Sequence, residues 1–163
     1  MKGALSALFC GAAELSRPFT VDLVRIAARL AAGMKIAFPT KDWATISGHA
    51  GQAPNWLVFD LTEYREGQTL PAPTRIELAR EQLPHYFKDD GPHPLDGVEL
   101  IVACSAGDGY VRHMKKRGAD VVLTGETDPA AALDHILKGE TLPEQRFDIT
   151  TTLCKLRDLF SRH

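Results

Sequence analysis

The chain has 163 residues, of which 44% are hydrophobic and 25% charged, as expected for one folded domain with some additions. A formal net charge of -2 and a pI near 6.3 argue against nucleic-acid binding driven by phosphate contacts. The apolar run after Met1 is short and broken by Ser6, and no stretch has the length of a membrane span. We therefore expect a cytoplasmic protein.

Three cysteines, Cys10, Cys104 and Cys154, are widely separated along the chain. Their number is odd and no CxxC pair occurs, so the sequence indicates neither a disulfide framework nor a zinc site closed by cysteines. We expect Cys10 and Cys154 to be reduced thiols without a functional role.

Residues 1–33 predict an N-terminal helical extension, with Thr20 as a candidate cap and Gly33 as a natural stop. The apolar residues that share one face of this helix are Leu23, Ile26, Ala27 and Leu30. The helix packs on the core, pairs with a second copy, or extends upstream of a start at Met34. The sequence leaves these three placements open.

The first part of the main domain alternates short apolar segments with turns. The elements predicted before residue 84 are strands at residues 35–39 and 56–61, an edge strand at 68–70 and a helix over 75–83. Residues 84–94 are rich in proline, glycine and aspartate, so we expect an irregular loop there.

The second part predicts a parallel arrangement. The predicted elements are a strand at residues 98–103, a turn at 104–109, a helix over 110–117, a strand at 119–124 and a helix over 129–137 capped by Thr127 or Asp128. A strand, a helix and a strand in succession imply a right-handed crossover and a parallel pair. Residues 140–145 are typical of a linker. One further short helix follows, with apolar positions at Leu153, Leu156, Leu159 and Phe160.

A turn of small residues over 105–109 closes a strand and opens a helix. The helix N-terminus would favour an anion there, and glycine lets a ligand approach the backbone. Ser105, Gly107 and Gly109 are therefore candidate contacts to a bound ligand. The alternative is a tight structural turn, since the segment has neither a Walker lysine nor the spacing of a dinucleotide fingerprint.

Two side chains near this turn could bind metal. Cys104 ends the strand, where the helix N-terminus is expected to lower its pKa; the alternative is a small buried residue. His49 lies on a glycine-containing loop, which favours an exposed imidazole that is available as a ligand.

The other histidines carry weaker signals. His85 and His93 flank an acidic loop and could close over a metal centre, but no ligand spacing supports this, and a solvated loop is the simpler expectation. His113 lies among basic residues and predicts a solvated helix face that adds positive potential near the turn. The role of the loop between His85 and His93 stays open.

Three segments follow one another along the chain: MKIAFPT from Met34, SGHAGQAP from Ser47 and WLVFD from Trp56. A strand, a glycine-rich turn, a helix and a second strand come later, over residues 98–124. This order resembles the dinitrogenase iron–molybdenum cofactor biosynthesis family, which includes the nitrogenase accessory carriers. The resemblance covers about residues 34–139.

The resemblance implies a ribonuclease-H-like α/β fold, with three layers α/β/α around a mixed five-stranded sheet that has one antiparallel strand. Residues 34–139 would form this carrier-like domain, between the helical extension at 1–33 and a linker and helix at 140–163. The family also implies non-catalytic binding and transfer of an iron–sulfur-type cluster, the iron–molybdenum cofactor or a precursor, in nitrogen fixation. Nitrogenase assembly proteins would be its partners.

His49 occupies the place of the family's cluster-binding histidine, and with Cys104 it forms the predicted pair of metal ligands. Some features depart from the family pattern. Ala50 replaces the usual phenylalanine after the histidine, the loop over 65–96 is longer, and Cys104 stands where many members have a small residue. These departures concern the identity of the ligand more than the fold.

Two other functions remain open. A nuclease-like enzyme of the same fold would need several carboxylates that converge on divalent metals, and the candidates are Asp42, Asp60, Asp108 and Asp128. A regulatory domain could bind a small ligand or a partner at residues 105–109 without any metal. The chain could act as a monomer or as a homodimer.

Overall fold

The computed structural model describes residues 23–144. In chain order, the elements are helix α1 (Leu23–Ala32), strands β1 (Lys35–Thr40), β2 (Asn55–Asp60), β3 (Thr74–Glu77) and β4 (Leu100–Ala103), helix α2 (Asp108–Lys116), strand β5 (Asp120–Leu123) and helix α3 (Pro129–Leu137). Two single 3-10 turns, Ala50–Gln52 and Arg80–Gln82, lie in the loops that precede β2 and follow β3.

The five strands form one mixed sheet in the order β3-β2-β1-β4-β5. Strand β2 pairs antiparallel with both β1 and β3, whereas β4 pairs parallel with β1 and β5. The prediction of an α/β fold with a mixed five-stranded sheet is therefore confirmed. Because β1, β4 and β5 run in the same direction, their carboxyl ends and the loops that follow them lie at one edge of the sheet.

Both faces of the central strands β1, β2 and β4 are buried, because successive strand residues point to opposite sides and helices cover each side. The edge strand β3 is mostly exposed. One face packs against α1 and α3 through a core that includes Ile36, Phe38, Phe59, Leu100, Val102 and Leu133. The other face packs against α2 through a core that includes Ala37, Trp56, Ile101, Ala103, Met114 and Val121. The sheet is thus the middle of three layers.

Helix α1 belongs to this packing. Ile26 is only 5% exposed within the core beside α3. Arg29 donates to Asp120 at 2.9 Å and to Glu99 at 3.1 Å, which joins the helix to β5 and to the segment before β4. Of the three placements considered for this helix, the structure shows packing on the core. The predicted domain boundary at residue 33 stays a prediction.

Helix ends follow the residues that predict them. Helix α3 has the predicted bounds, and Asp128 caps it by accepting a hydrogen bond from Ala130 N at 2.9 Å. Gly33 ends α1 with φ +82 and donates its N–H to Leu30 O at 3.1 Å. The other predicted strands and α2 lie where expected, with small shifts at their ends.

Two predictions before residue 84 are wrong. The edge strand is Thr74–Glu77 rather than residues 68–70, and the helix expected over 75–83 does not form. Ile76 instead lies opposite Trp56 in the sheet, and Leu78 N donates to Pro54 O at 2.7 Å. The backbone N–H and C=O groups at the open edge of β2 form hydrogen bonds with this segment. This long-range pairing outweighs the preference for a helix that a short apolar periodicity indicates.

Some expectations lie outside the described residues. They are the cap at Thr20, the two cysteines Cys10 and Cys154, and the helix expected around Leu153 to Phe160. Within residues 23–144, no helix has the length and apolar character needed to cross a membrane.

Candidate functional site

Three loops meet at the edge where the parallel strands end. Ile46 N donates to Thr127 O at 2.8 Å, which joins the loop after β1 to the loop after β5. Cys104 N donates to Ser47 O at 3.2 Å, which joins the loop after β1 to the end of β4. Ligands of open α/β sheets commonly bind outside the carboxyl ends of the strands. This edge is the candidate site, and all five predicted site residues lie on its loops or in the first turn of α2.

His49 is exposed and has a left-handed backbone, with φ 49 and ψ 59. A left-handed conformation costs a residue with a Cβ about 1–2 kcal/mol, so the surroundings must hold it. The next loop supplies that support. His49 N donates to Ser105 Oγ at 2.8 Å, and Ala50 N donates to Ser105 O at 3.1 Å. The structure therefore brings His49 and Ser105 together, although they are 56 positions apart in the chain.

Gly107 and Gly109 lie at the start of α2, where Gly107 is the N-cap and no side chain caps the helix. Both residues are exposed, neither has a positive φ, and a Cβ on either would meet nothing within 4 Å. The packing of the chain thus gives no steric reason for glycine, although glycine inside a helix costs about 1 kcal/mol relative to alanine. The open space leaves the backbone N–H groups of the first turn accessible to an anion.

Tyr110 is a neighbour of the site that the sequence reasoning missed. A Cβ placed on Gly51 would lie 3.4 Å from Tyr110 Cδ2, so the ring packs beside the His49 loop. The Tyr110 hydroxyl is buried without a hydrogen-bond partner among the described residues, and burial raises the pKa of Tyr110 above its usual range. An aromatic ring therefore lies beside the loop even though Ala50 follows His49. The available signal was the position of Tyr110 directly after the glycine turn.

The Cys104 thiol lies between the loop after β1 and the loop after β5. Its Sγ lies 3.4 Å from Ile46 O and 3.5 Å from Glu126 O, so its single proton can be donated to either carbonyl. The side chain packs against the core on the face that carries α1 and α3. Burial, and secondly the Glu126 carboxylate, raise the pKa of Cys104. The expectation of a lowered Cys104 pKa is therefore wrong, because burial disfavours the charged thiolate.

In a chain that also carries Cys10→Ser and Cys154→Ser, we expect Cys104 to react with iodoacetamide more slowly than a cysteine peptide does at about pH 8. The raised pKa leaves a smaller fraction of reactive thiolate, so the rate should rise only at higher pH than for the peptide. Glu126→Gln should move this pH profile back toward that of the peptide. The raised pKa would be contradicted if the alkylation rate of Cys104 rose at the same pH as that of the peptide, or at a lower pH.

His93 is a buried structural residue rather than part of a solvated loop. It is 8% exposed, its Nε2 lies 2.6 Å from Gln82 O, and its Nδ1 accepts a hydrogen bond from Leu95 N at 3.1 Å. Both ring nitrogens are thus used by the backbone. The expectation of a solvated loop is wrong here because the loop folds back on the core around this ring.

His85 and His113 differ from His93 and from each other. His85 is exposed, and its ring packs edge-on against Tyr86 with the ring centres 4.9 Å apart. His113 Nε2 lies 2.9 Å from an Asp89 carboxylate oxygen, so this residue pairs with the loop instead of facing only solvent. The described histidines therefore do not close together over a metal centre.

The carboxylates of the nuclease-like alternative do not converge. Asp60 lies opposite Lys35, at the amino end of β1 and thus at the other edge of the sheet from the site. Asp42 accepts from Thr45 N at 2.7 Å, and such backbone bonds hold the pKa of Asp42 well below its usual range. Within residues 23–144, no three histidine, cysteine, aspartate or glutamate side chains are grouped to hold a metal ion. The two-ligand pair of His49 and Cys104 stays a prediction.

No protein-family model and no curated protein matches this sequence. Among solved structures, the protein PH0822 is 19% identical with a TM-score of 0.51, over 71% of this chain and 97% of that chain. A protein provisionally named a dinitrogenase from Methanocaldococcus jannaschii is 12% identical with a TM-score of 0.48, over 70% of this chain and 98% of that chain. The apo orange protein from Desulfovibrio gigas is 14% identical with a TM-score of 0.47, over 68% of this chain and 92% of that chain. The likeness to PH0822 shows the fold.

Proposed function

We propose that this chain is a non-catalytic carrier that binds an iron–sulfur-type metallocluster, the iron–molybdenum cofactor or a precursor, and hands it to a nitrogenase assembly partner in the cytoplasm. The cluster is cargo, and His49 with the turn over residues 105–109 binds it. The ribonuclease-H-like classification of the α/β fold is part of this proposal. The observation that carries it is an exposed His49, held in a left-handed conformation beside an uncapped helix N-terminus.

Backbone strain supports a functional role for the His49 loop. The non-glycine residues with positive φ in residues 23–144 are Trp43, His49 and Asp89, and the first two lie between β1 and β2. Strain of this kind persists only where the surroundings over-determine it, and it concentrates at functional sites. The Ser105 contacts show how the fold maintains the strain at His49.

The chemistry of the site fits a cargo that must be released. Imidazole is a suitable ligand for iron, and the N–H groups at the start of α2 would stabilise the negative charge of a cluster. Gly107 and Gly109 leave room for a bulky ligand against the backbone. Cys104 would have to lose its proton and turn away from Ile46 O before it could be a second ligand. We therefore assign His49 as the principal ligand.

Anaerobic reconstitution tests this function. The full chain is incubated with iron and sulfide, or with isolated iron–molybdenum cofactor, and passed through a desalting column. We expect the wild type to retain the cluster and its charge-transfer absorbance. His49→Ala should bind at least about tenfold more weakly, because it loses the imidazole ligand.

His135→Ala is the matched control, since His135 is also an accessible histidine but pairs with Glu140 at 2.7 Å on the helix α3 side of the molecule. This control should bind like the wild type. If the wild type and His49→Ala both lack the absorbance, the carrier function fails. If both retain it equally, His49 is not the ligand.

A regulatory domain that binds an anion at residues 105–109 without metal is the second candidate, because the uncapped N-terminus of α2 favours it. Titration with inorganic phosphate measures that binding, with the amide NMR shifts of Gly107 and Gly109 as the readout. Metal-independent binding, combined with failure of the iron reconstitution, would favour this candidate.

A further inference from the structure

Residues 84–97, named here the strap, run from the His49 loop toward the far end of α2. At the start of the strap, His85 N donates to Gly51 O at 2.9 Å. Gly51 belongs to the 3-10 turn Ala50–Gln52, which begins directly after His49. The strap therefore holds the turn that follows His49.

The middle of the strap attaches to α2 through one cation. Arg117, the C-cap of α2, donates to the carboxylates of Asp89 and Asp96 with separate nitrogens. Its guanidinium carbon also lies 5.2 Å from the centre of the Phe87 ring. His113, one turn earlier on the same helix, adds the 2.9 Å pair with Asp89. Arg117 is thus the hub that joins three strap residues to the helix.

Little apolar packing supports the middle of the strap, whereas Pro84, His93 and Leu95 toward its two ends are buried. Residues 85–92 are exposed except for a half-buried Phe87. Below them, a cavity of about 20 Å³ lies between the strap and α2, lined in part by Leu95, Ile101 and Met114. That volume suits about one water molecule. Asp89 itself has a left-handed backbone with φ 58. Without Arg117, the middle of the strap would lose two ion pairs and one ring contact, and would keep the Asp89–His113 pair and the Tyr86 ring contact with Arg80.

We propose that the strap is a latch on the His49 loop. While Arg117 holds the strap against α2, the His85–Gly51 hydrogen bond keeps the 3-10 turn in place. The 3-10 turn keeps His49 against Ser105, whose contacts hold the left-handed conformation. When the Arg117 contacts open, the Gly51 carbonyl is released and His49 relaxes to an ordinary backbone conformation. Opening of the strap would also favour release of a ligand bound at His49, and this consequence rests on the proposed function. The coupling between Arg117 and His49 does not.

Amide hydrogen exchange of the ligand-free full chain, measured residue by residue by NMR, tests the latch. In Arg117→Gln, we expect the amides of His85, His49 and Ala50 to exchange about tenfold faster, because local opening becomes easier. Amides of the central strands β1 and β4 should exchange as in the wild type. Arg112→Gln is the matched control on the same helix, since Arg112 is exposed, and it should change none of these rates.

Asp89→Asn is the second variant, because asparagine tolerates the left-handed backbone and removes only the charge. It should accelerate the same amides in the same direction, and it decides the test if Arg117→Gln also opens the central strands. The latch is refuted if strap amides such as Asp96 exchange faster while His49 and Ala50 do not. Because no ligand is present, failure to bind a cluster would leave this result standing, and cluster binding without the coupling would refute the latch alone.

Discussion

Gly33→Ala is expected to destabilise the chain by about 2–4 kcal/mol, because this position combines a left-handed backbone with a close backbone approach. Gly33 has φ +82, and a Cβ there would lie 2.7 Å from Thr62 Cα and 2.8 Å from Thr62 O. Both contacts are with main-chain atoms, so no side chain can turn away to relieve them. Urea unfolding monitored by circular dichroism would measure the loss.

Gly118→Ala separates the two causes. Gly118 has φ +89, but a Cβ there would meet nothing within 4 Å. Its substitution should cost only the conformational part, about 1–2 kcal/mol. Equal losses at Gly33 and Gly118 would show that Thr62 does not resist the added atom.

His93→Ala should destabilise the chain by about 3 kcal/mol, since it opens a cavity and leaves buried polar groups without a hydrogen-bond partner. The His93 ring forms hydrogen bonds with Gln82 O and Leu95 N. It also packs against Phe87, with the ring centres 4.7 Å apart. His93→Asn should recover part of the loss, because its side-chain oxygen can accept a hydrogen bond from Leu95 N. Thermal and urea unfolding would both report the difference.

His85→Ala is the matched control for His93→Ala. Its ring is exposed and touches Tyr86, so its removal should change the free energy of unfolding by less than about 0.5 kcal/mol. Similar small losses at both positions would contradict a structural role for His93. A large loss at His85 would contradict its exposed placement.

Elements set by nearby residues could be predicted from the sequence. Asp128 and Pro129 marked the start of α3, and Gly33 marked the end of α1, because capping and left-handed stops act within one turn of chain. The prediction of a helix over residues 75–83 was wrong because the conformation of this segment depends on the open edge of β2, which lies outside the segment. Local periodicity carries no information about such an edge.

The site divides in the same way. His49 and the small-residue turn were visible because glycine placement and a following helix are local signals. The bond from His49 to Ser105 Oγ could not be predicted, nor could the Tyr110 ring beside Gly51 or the carbonyl contacts of the Cys104 thiol. Each depends on how two loops meet at the edge of the sheet.

The sequence by itself determined the α/β class, most of the element order, and the exposed histidine before β2, because alternation, caps and glycines act over a few residues. Only the tertiary structure decided that α1 belongs to the core, that His93 is structural, and that the strap ties α2 to the His49 loop. The reason is that burial and long-range hydrogen bonds are properties of pairs of segments. The conformation of His49 depends on the local sequence and on the tertiary structure. Gly48 and Gly51 lie in its loop, and Ser105 accepts the hydrogen bond from its backbone N–H.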